Sequence, residues 1–128
     1  IRLIKDYDPA TPIIRCDPLR IEQAMSNLII NAIQAMPGGG VLTVRTRLES
    51  DPDSGLAFLA VDIGDTGPGV PSAILSKLFT PFFTTKGNGT GLGLTITQRV
   101  INEHGGSVAV DSVEGHGAVF TVRLPATP

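Results

Sequence analysis

Asn27 and Asn31 stand one helical turn apart in the stretch Asp17 to Met36, so both carboxamides can point the same way. Asn is a middling helix former, because its side chain competes for backbone hydrogen bonds. A pair of them inside a strongly helical stretch therefore asks for a reason. Two readings are open at this point. The amides are solvated or locally bonded, or they form a polar rim over a ligand or a metal ion.

The second residue of interest is Asp65, in Asp62-Ile-Gly-Asp-Thr-Gly-Pro-Gly-Val-Pro71, between a strand end and a helix start. Gly67 and Gly69 permit positive φ and close approach by a ligand. A carboxylate is an acceptor only, so it can take a hydrogen bond from an exocyclic amine such as adenine N6. Guanine presents an oxygen there, which the same carboxylate would repel. The alternative is a turn in which Asp65 bonds its own backbone.

Glycine then alternates in Gly87-Asn-Gly-Thr-Gly-Leu-Gly-Leu94 and runs straight into an apolar helix. Backbone N–H groups in such a loop, with the helix N-terminus behind them, form a site for phosphates. No Gly-Lys-Ser/Thr follows and no G-x-G-x-x-G occurs, so this is neither a Walker A loop nor a dinucleotide fingerprint. The His-Arg-Asp and Asp-Phe-Gly signatures of protein kinases are also missing. Just upstream, Phe79, Phe82 and Phe83 can anchor a lid by packing. Lys86 either reaches a phosphate or is simply solvated. His104 and His116 read as structural or surface residues, since neither has a carboxylate or second histidine at metal or catalytic spacing.

The elements that must position these groups follow from periodicity and punctuation. Ile21, Ala24, Met25, Leu28, Ile29, Ala32, Ile33 and Met36 recur at helical spacing, with Asp17 as cap and Pro18 in the first turn. Pro37-Gly-Gly-Gly40 stops that helix. Before it, Arg2 to Tyr7 and Ile13 to Cys16 read as strands. Val41 to Leu48 and Ala57 to Ile63 form a hairpin across an acidic turn from Glu49 to Gly55. Pro71 to Leu78 reads as a short helix, Phe79 to Thr90 as a loop and Gly91 to His104 as a helix. Ser107 to Asp111 and Ala118 to Leu124 close the chain, joined through Glu114-Gly-His-Gly117. Together they predict a two-layer α/β sandwich with a mixed sheet covered on one face by helices.

At 128 residues the chain is one domain, 1–128, with a formal net charge of −2 and 41% hydrophobic residues, the profile of a globular protein. It has no basic surplus for nucleic acid, few aromatics, no apolar run long enough for a bilayer and no signal-peptide pattern. The single Cys16 cannot form an internal disulfide and fits a reducing compartment. A chain that opens at Ile1, already in strand-like residues, reads as a piece of something longer.

Taken in order, these stretches resemble the catalytic ATP-binding domain of bacterial sensor histidine kinases, the Bergerat fold shared with DNA gyrase, the Hsp90 chaperones and MutL. Asn27-Leu-Ile-Ile-Asn-Ala32 is similar to that family's N box and Asp65-Thr-Gly-Pro-Gly69 to its G1 box. Pro81-Phe-Phe-Thr-Thr-Lys86 is similar to the F box, Gly89-Thr-Gly-Leu-Gly-Leu94 to the G2 box, and Gly115-His-Gly117 to the last glycine turn. The wording Ala-Ile-Gln-Ala-Met-Pro-Gly-Gly with Pro-Phe-Phe-Thr-Thr-Lys is most similar to kinases of the nitrogen-regulation type.

The resemblance implies a mixed, mostly antiparallel five-stranded sheet covered by three helices. It implies that Asn31 coordinates the Mg²⁺ that bridges the phosphates of ATP, with Asn27 supporting, and that Asp65 reads adenine N6 beside Gly67 and Gly69. Phe79 to Thr90 becomes a mobile lid. Lys86 and the backbone of Gly89, Thr90, Gly91, Leu92 and Gly93 then fall to the phosphates, with Asn31 and Lys86 as the catalytic pair. It further implies a helical dimerisation domain of the same protein carrying the phosphoacceptor histidine, a response regulator downstream and no nucleic acid partner. The isolated domain would be monomeric and cytoplasmic, and its parent a homodimer open to membrane anchoring.

Two departures stand out. Many relatives carry a cationic residue one turn after the metal-binding Asn to touch a phosphate, where this chain has Gln34, a hydrogen-bond donor without charge, and Ser or Thr where it has Ala118. Both imply retuned affinity. An alternative is a gyrase- or Hsp90-type ATPase. That branch usually has a Glu base four residues before the metal-binding Asn, and this chain has Asn27 there.

Overall fold

A computed structural model of the chain describes residues 1–10, 13–75, 77 and 93–126. In chain order the elements are β1 (Arg2–Tyr7), α1 (Pro18–Gln34), β2 (Val41–Ser50), β3 (Ala57–Gly64), α2 (Ser72–Leu75), α3 (Gly93–Glu103), β4 (Ser107–Ser112) and β5 (Ala118–Pro125).

Helix α1 begins where its chemistry dictates. Asp17 is extended, with φ −82° and ψ 106°, and its Oδ1 accepts the Arg20 N–H at 3.4 Å. Pro18 occupies the first turn, where a missing donor costs nothing. At the other end Ala35 caps the helix and Pro37 bars another turn. The inward stripe Ala24, Leu28 and Ala32 is buried, and a leucine taken fully out of water contributes about 2 kcal/mol.

The five strands form one sheet in the order β1-β2-β3-β5-β4. β1 runs parallel to β2, a pairing that needs a crossover, and α1 supplies it. The other pairs, β2–β3, β3–β5 and β4–β5, are antiparallel. Leu42, Ile63, Phe120, Val122 and Leu124 face the helices and meet Ala24, Leu28, Val100 and Ile101 in one core. α1 and α3 pack against each other over this face, while α2 is a single turn with no buried residue.

Three local expectations are corrected. Ile13 to Cys16 is not a strand: Ile13 is 89% exposed, Ile14 packs on the core, and the segment leads directly into the cap of α1. Of the helix expected over Pro71 to Leu78, Ser72–Leu75 is helical and Pro71 and Lys77 are not, while Ser76 and Leu78 lie outside the described residues. β2 runs on to Ser50, because Glu49 is held on the sheet's far face by Arg47 and Arg123 instead of turning away. That far face carries an ion-pair network of Arg47, Glu49, Asp62 and Arg123, joined by Thr121. Among the described residues, no helix is long and apolar enough to cross a membrane.

Candidate functional site

Asn27 and Asn31 lie on the shoulder of α1, half-buried beside the fully buried Leu28 and Ala32. Their neighbour is fixed by the way α1 meets α3. Asp17 is bonded to His104, Arg20 to Glu103, and the Ala24 carbonyl accepts from Thr97 Oγ1 at 3.4 Å. The rising numbers on α1 meet falling numbers on α3, so the helices are antiparallel. Continuing that register brings Asn27 level with Leu94 and carries Asn31 past the start of α3 at Gly93. Asn27 and Asn31 thus stand level with and just beyond the positive end of a helix, whose first N–H groups have no intrahelical partner. Gln34, the next turn along, is exposed.

Asp65 closes the other side of this corner. It follows β3 directly, is 9% exposed, and donates its own N–H to the Ala118 carbonyl at 2.9 Å. Its Oδ1 accepts the Gly67 N–H at 2.9 Å, and no bond from a described residue goes to Oδ2. Among the described residues no buried side-chain oxygen or nitrogen lacks a partner, so Oδ2 is not fully buried. The carboxylate is therefore anchored by one oxygen and presents the other.

The turn that holds Asp65 is pressed against the end of α1. A Cβ on Gly67 would lie 2.6 Å from the Ala35 carbonyl oxygen, and Ala35 in turn bonds the Asn31 carbonyl at 3.1 Å. Thr66 completes the joint: its Oγ1 accepts the Val41 N–H at 3.0 Å and touches Met36 Sδ. Asn31 and Asp65 are thus brought to one corner, between the end of α1 and the end of β3.

Behind Asp65 stands the β4–β5 turn. Gly69 has φ +73°, and a Cβ there would sit 2.5 Å from the Val113 carbonyl oxygen. Gly117 has φ +95°, and a Cβ there would lie 2.1 Å from the Asp65 carbonyl oxygen. The close approach that Gly67 and Gly69 permit in this structure is made by protein backbone. Ser112 bridges the two turns, its Oγ accepting from Val70 N–H at 2.7 Å and donating to the Gly117 carbonyl at 3.1 Å. Thr66, Ser112 and Gly117 were missed as site residues. Thr66 carried a signal in its place beside Asp65, and Gly117 in the glycine turn Gly115-His-Gly117.

Gly93 is the first residue of α3. Lys86, Gly89, Thr90, Gly91 and Leu92, and with them Phe79, Phe82 and Phe83, lie outside the described residues. His104 is bonded through both ring nitrogens and His116 is exposed. Among the described residues no three His, Cys, Asp or Glu side chains gather as a metal site. A divalent cation would here meet carboxamide oxygens, a hard donor set that suits Mg²⁺ when phosphate and water supply the rest.

Residues 16–128 match the family described as histidine kinase-, DNA gyrase B-, and HSP90-like ATPase. The chain belongs to that family. Sensor histidine kinase ZraS of Salmonella typhi is 44% identical over 112 residues, which are 88% of this chain and 23% of the relative. Signal transduction histidine-protein kinase AtoS of Escherichia coli K12 is 39% identical over 128 residues, all of this chain and 20% of the relative. Sensory histidine kinase/phosphatase NtrB of Salmonella typhimurium is 40% identical over 130 residues, 98% of this chain and 37% of the relative. The chain spans well under half the length of these curated relatives.

Among family members of known structure, the nucleotide-free catalytic domain of histidine kinase ThkA superposes with a TM-score of 0.83 at 33% identity, covering 99% of this chain and 80% of that one. Full-length ShkA, in complex with AMPPNP, superposes with a TM-score of 0.82 at 27% identity over 99% of this chain and 26% of its own. The mixed five-stranded α/β sandwich is the fold of histidine kinase catalytic domains in this family.

Proposed function

We propose that residues 1–128 are the catalytic ATP-binding domain of a longer sensor histidine kinase of the nitrogen-regulation type. The chain binds MgATP and presents the γ-phosphate to a histidine on a separate helical dimerisation domain of the same protein. The phosphoryl group then passes to a response regulator. One observation carries this reading: the antiparallel register of α1 and α3 sets Asn27 and Asn31 beside a helix N-terminus, while Asp65 presents a free carboxylate oxygen at the same corner.

The roles follow from residue chemistry. Asp65 Oδ2 accepts the adenine N6 amine and disfavours guanine. Asn31 offers its carboxamide oxygen to Mg²⁺, which when bound neutralises charge on the β- and γ-phosphate oxygens. Asn27 supports it, and Gln34 donates a hydrogen bond without charge. Lys86 and the backbone N–H groups of Gly89, Thr90, Gly91, Leu92 and Gly93 hold the phosphates. In the transfer, the bond from the γ-phosphorus to its bridging oxygen breaks, a nitrogen–phosphorus bond to the acceptor imidazole forms, and ADP leaves. Imidazole is a competent nucleophile, so positioning and charge neutralisation carry the step.

A hydrolytic reading is weaker because Asn27 is an amide and cannot take a proton from water. The one carboxylate of α1, Glu22, is exposed and lies nine residues from Asn31, about half a turn out of phase. On the same reading the domain is cytoplasmic and monomeric by itself, within a homodimeric parent. The test is labelled ATP with and without the dimerisation domain. Label appearing on that domain supports the kinase, and brisk phosphate release from this chain alone overturns it in favour of the ATPase.

A further inference from the structure

His104 spends both ring nitrogens on bonds, one back into its own helix α3 and one across to the start of α1. Nδ1 lies 2.7 Å from the Val100 carbonyl, which can only accept, and Nε2 lies 3.0 Å from the Asp17 N–H, which can only donate. These partners admit one neutral tautomer, protonated at Nδ1 and bare at Nε2. On one side the ring closes the last turn of α3. On the other it takes the backbone donor of the residue that caps α1.

We infer that His104 is a positioning residue that sets the axial register of α1 against α3, and with it the spacing of Asn27 and Asn31 from the start of α3. This rests on the nucleotide site proposed above. Asn31 lies about 21 Å along α1 from Asp17, and Gly93 about 17 Å along α3 from His104, at 1.5 Å per residue. An axial slide between two stiff antiparallel helices reaches the far end undiminished.

Two other polar contacts that cross between the helices resist such a slide less firmly. The contact is apolar, built from Ala24, Leu28, Val100 and Ile101, and packed helices shift by about 1–2 Å at modest cost. The Thr97–Ala24 bond is long, at 3.4 Å, and the Arg20–Glu103 pair is 42% exposed on both sides. A site shared between the two helices needs its groups held to about 0.5 Å. The bond from Asp17 to His104 supplies the direction that the apolar contact lacks.

Three variants of the full chain test this. His104→Phe keeps a ring and removes both bonds. His104→Gln restores one donor and one acceptor. Ile101→Val trims the core of the same helix and leaves the ring alone. The readouts are the side-chain amide resonances of Asn27 and Asn31 without nucleotide, MgATP affinity by calorimetry, and melting temperature.

In His104→Phe the asparagine resonances move and MgATP affinity falls roughly tenfold. His104→Gln recovers most of that loss, and Ile101→Val binds as the unmodified chain does despite its lower melting temperature. Unmoved asparagine resonances in His104→Phe, or affinity that merely tracks melting temperature across the three, overturn the inference. An unmodified chain that takes up no MgATP overturns the nucleotide reading instead, and the asparagine resonances still decide the register. Should His104→Phe not fold, ¹⁵N spectra of the unmodified ring decide: protonation at Nδ1 supports the clasp and protonation at Nε2 overturns it.

Discussion

The Arg47 guanidinium holds the Asp62 carboxylate by two bonds, Nε to Oδ2 at 2.9 Å and Nη2 to Oδ1 at 3.2 Å, across β2 and β3 on the face away from the helices. Thr121 donates to the same Oδ1 at 2.7 Å from β5. Burial pushes the Asp62 carboxyl up, but Arg47 and Thr121 outweigh it and hold the group below its usual 3.8. Glu49 is held below its usual 4.5 by the Arg123 hydrogen bond and then by Arg47. Asp62 in turn raises the Arg47 guanidinium above its ordinary range.

Lowered carboxyls contribute stability that is complete above their unfolded values and is lost as pH falls through the folded ones. Urea midpoints of the unmodified chain are therefore expected to be level down to about pH 5 and to drop below about pH 4. The double variant Asp62→Asn, Glu49→Gln flattens that drop. At neutral pH Asp62→Ala costs about 1–2 kcal/mol, because it removes two of the Arg47 guanidinium's bonds and the acceptor of Thr121. Parallel acid profiles for the parent and the double variant would count against the network.

Asn31→Ala removes the carboxamide oxygen proposed for Mg²⁺ and leaves the fold intact, since Asn31 is only half-buried. ATP affinity in the presence of Mg²⁺ is expected to fall roughly tenfold or more, while affinity in chelator changes little. Calorimetric titrations with and without Mg²⁺ check this. An equal loss in both would mean that Asn31 acts on the nucleotide and not on the ion.

Asp65→Ala deletes both the anchored oxygen and the presented one. ATP affinity is expected to drop by about 1.5–3 kcal/mol, the worth of a hydrogen bond to a charged group, and the preference for ATP over GTP to shrink with it. Titration of ATP and GTP into both proteins is the measurement. If the unmodified chain took the two nucleotides alike, adenine recognition could not rest on Asp65.

Gly117→Ala forces a Cβ to within 2.1 Å of the Asp65 carbonyl oxygen at a φ of +95°. The variant is expected to lose about 2–4 kcal/mol of stability. Any folded fraction loses nucleotide affinity as well, because the turn that aims Asp65 has moved. Gly115→Ala is the control, since its added Cβ meets nothing within 4 Å, although φ there is +86° and carries its own strain. A thermal melt that ranked the two equally would show that backbone strain dominates and that the contact with Asp65 matters little.

The long helix was legible because cap, stripe and breaker agree: Asp17, the Ala24–Leu28–Ala32 stripe and Pro37 each act as their chemistry requires. The hairpins were legible for the same reason. At Asp65 the turn reading is met, since one oxygen bonds its own turn, and adenine recognition stays a proposal for the other. Gly67 and Gly69 announced close approach, yet a glycine cannot announce what approaches it. Here that is Ala35, Val113 and Gly117. Ile13 to Cys16 misled because β-branched residues describe a fit to a pleated surface, and here only Ile14 found a surface to fit. His104 had no sequence neighbour to explain it, because its partner Asp17 is reached only through the fold.

The backbone amides of Asn27 and Asn31 belong to a helix whose inward side chains Ala24, Leu28 and Ala32 are 0%, 0% and 1% exposed. Peeling that helix away would empty the core, so these protons are expected to swap with deuterium only when the whole molecule opens. The stretch proposed to meet a polyanion thus stays helical for as long as the protein stays folded. Unwinding of α1 therefore cannot set the pace at which a ligand arrives and departs.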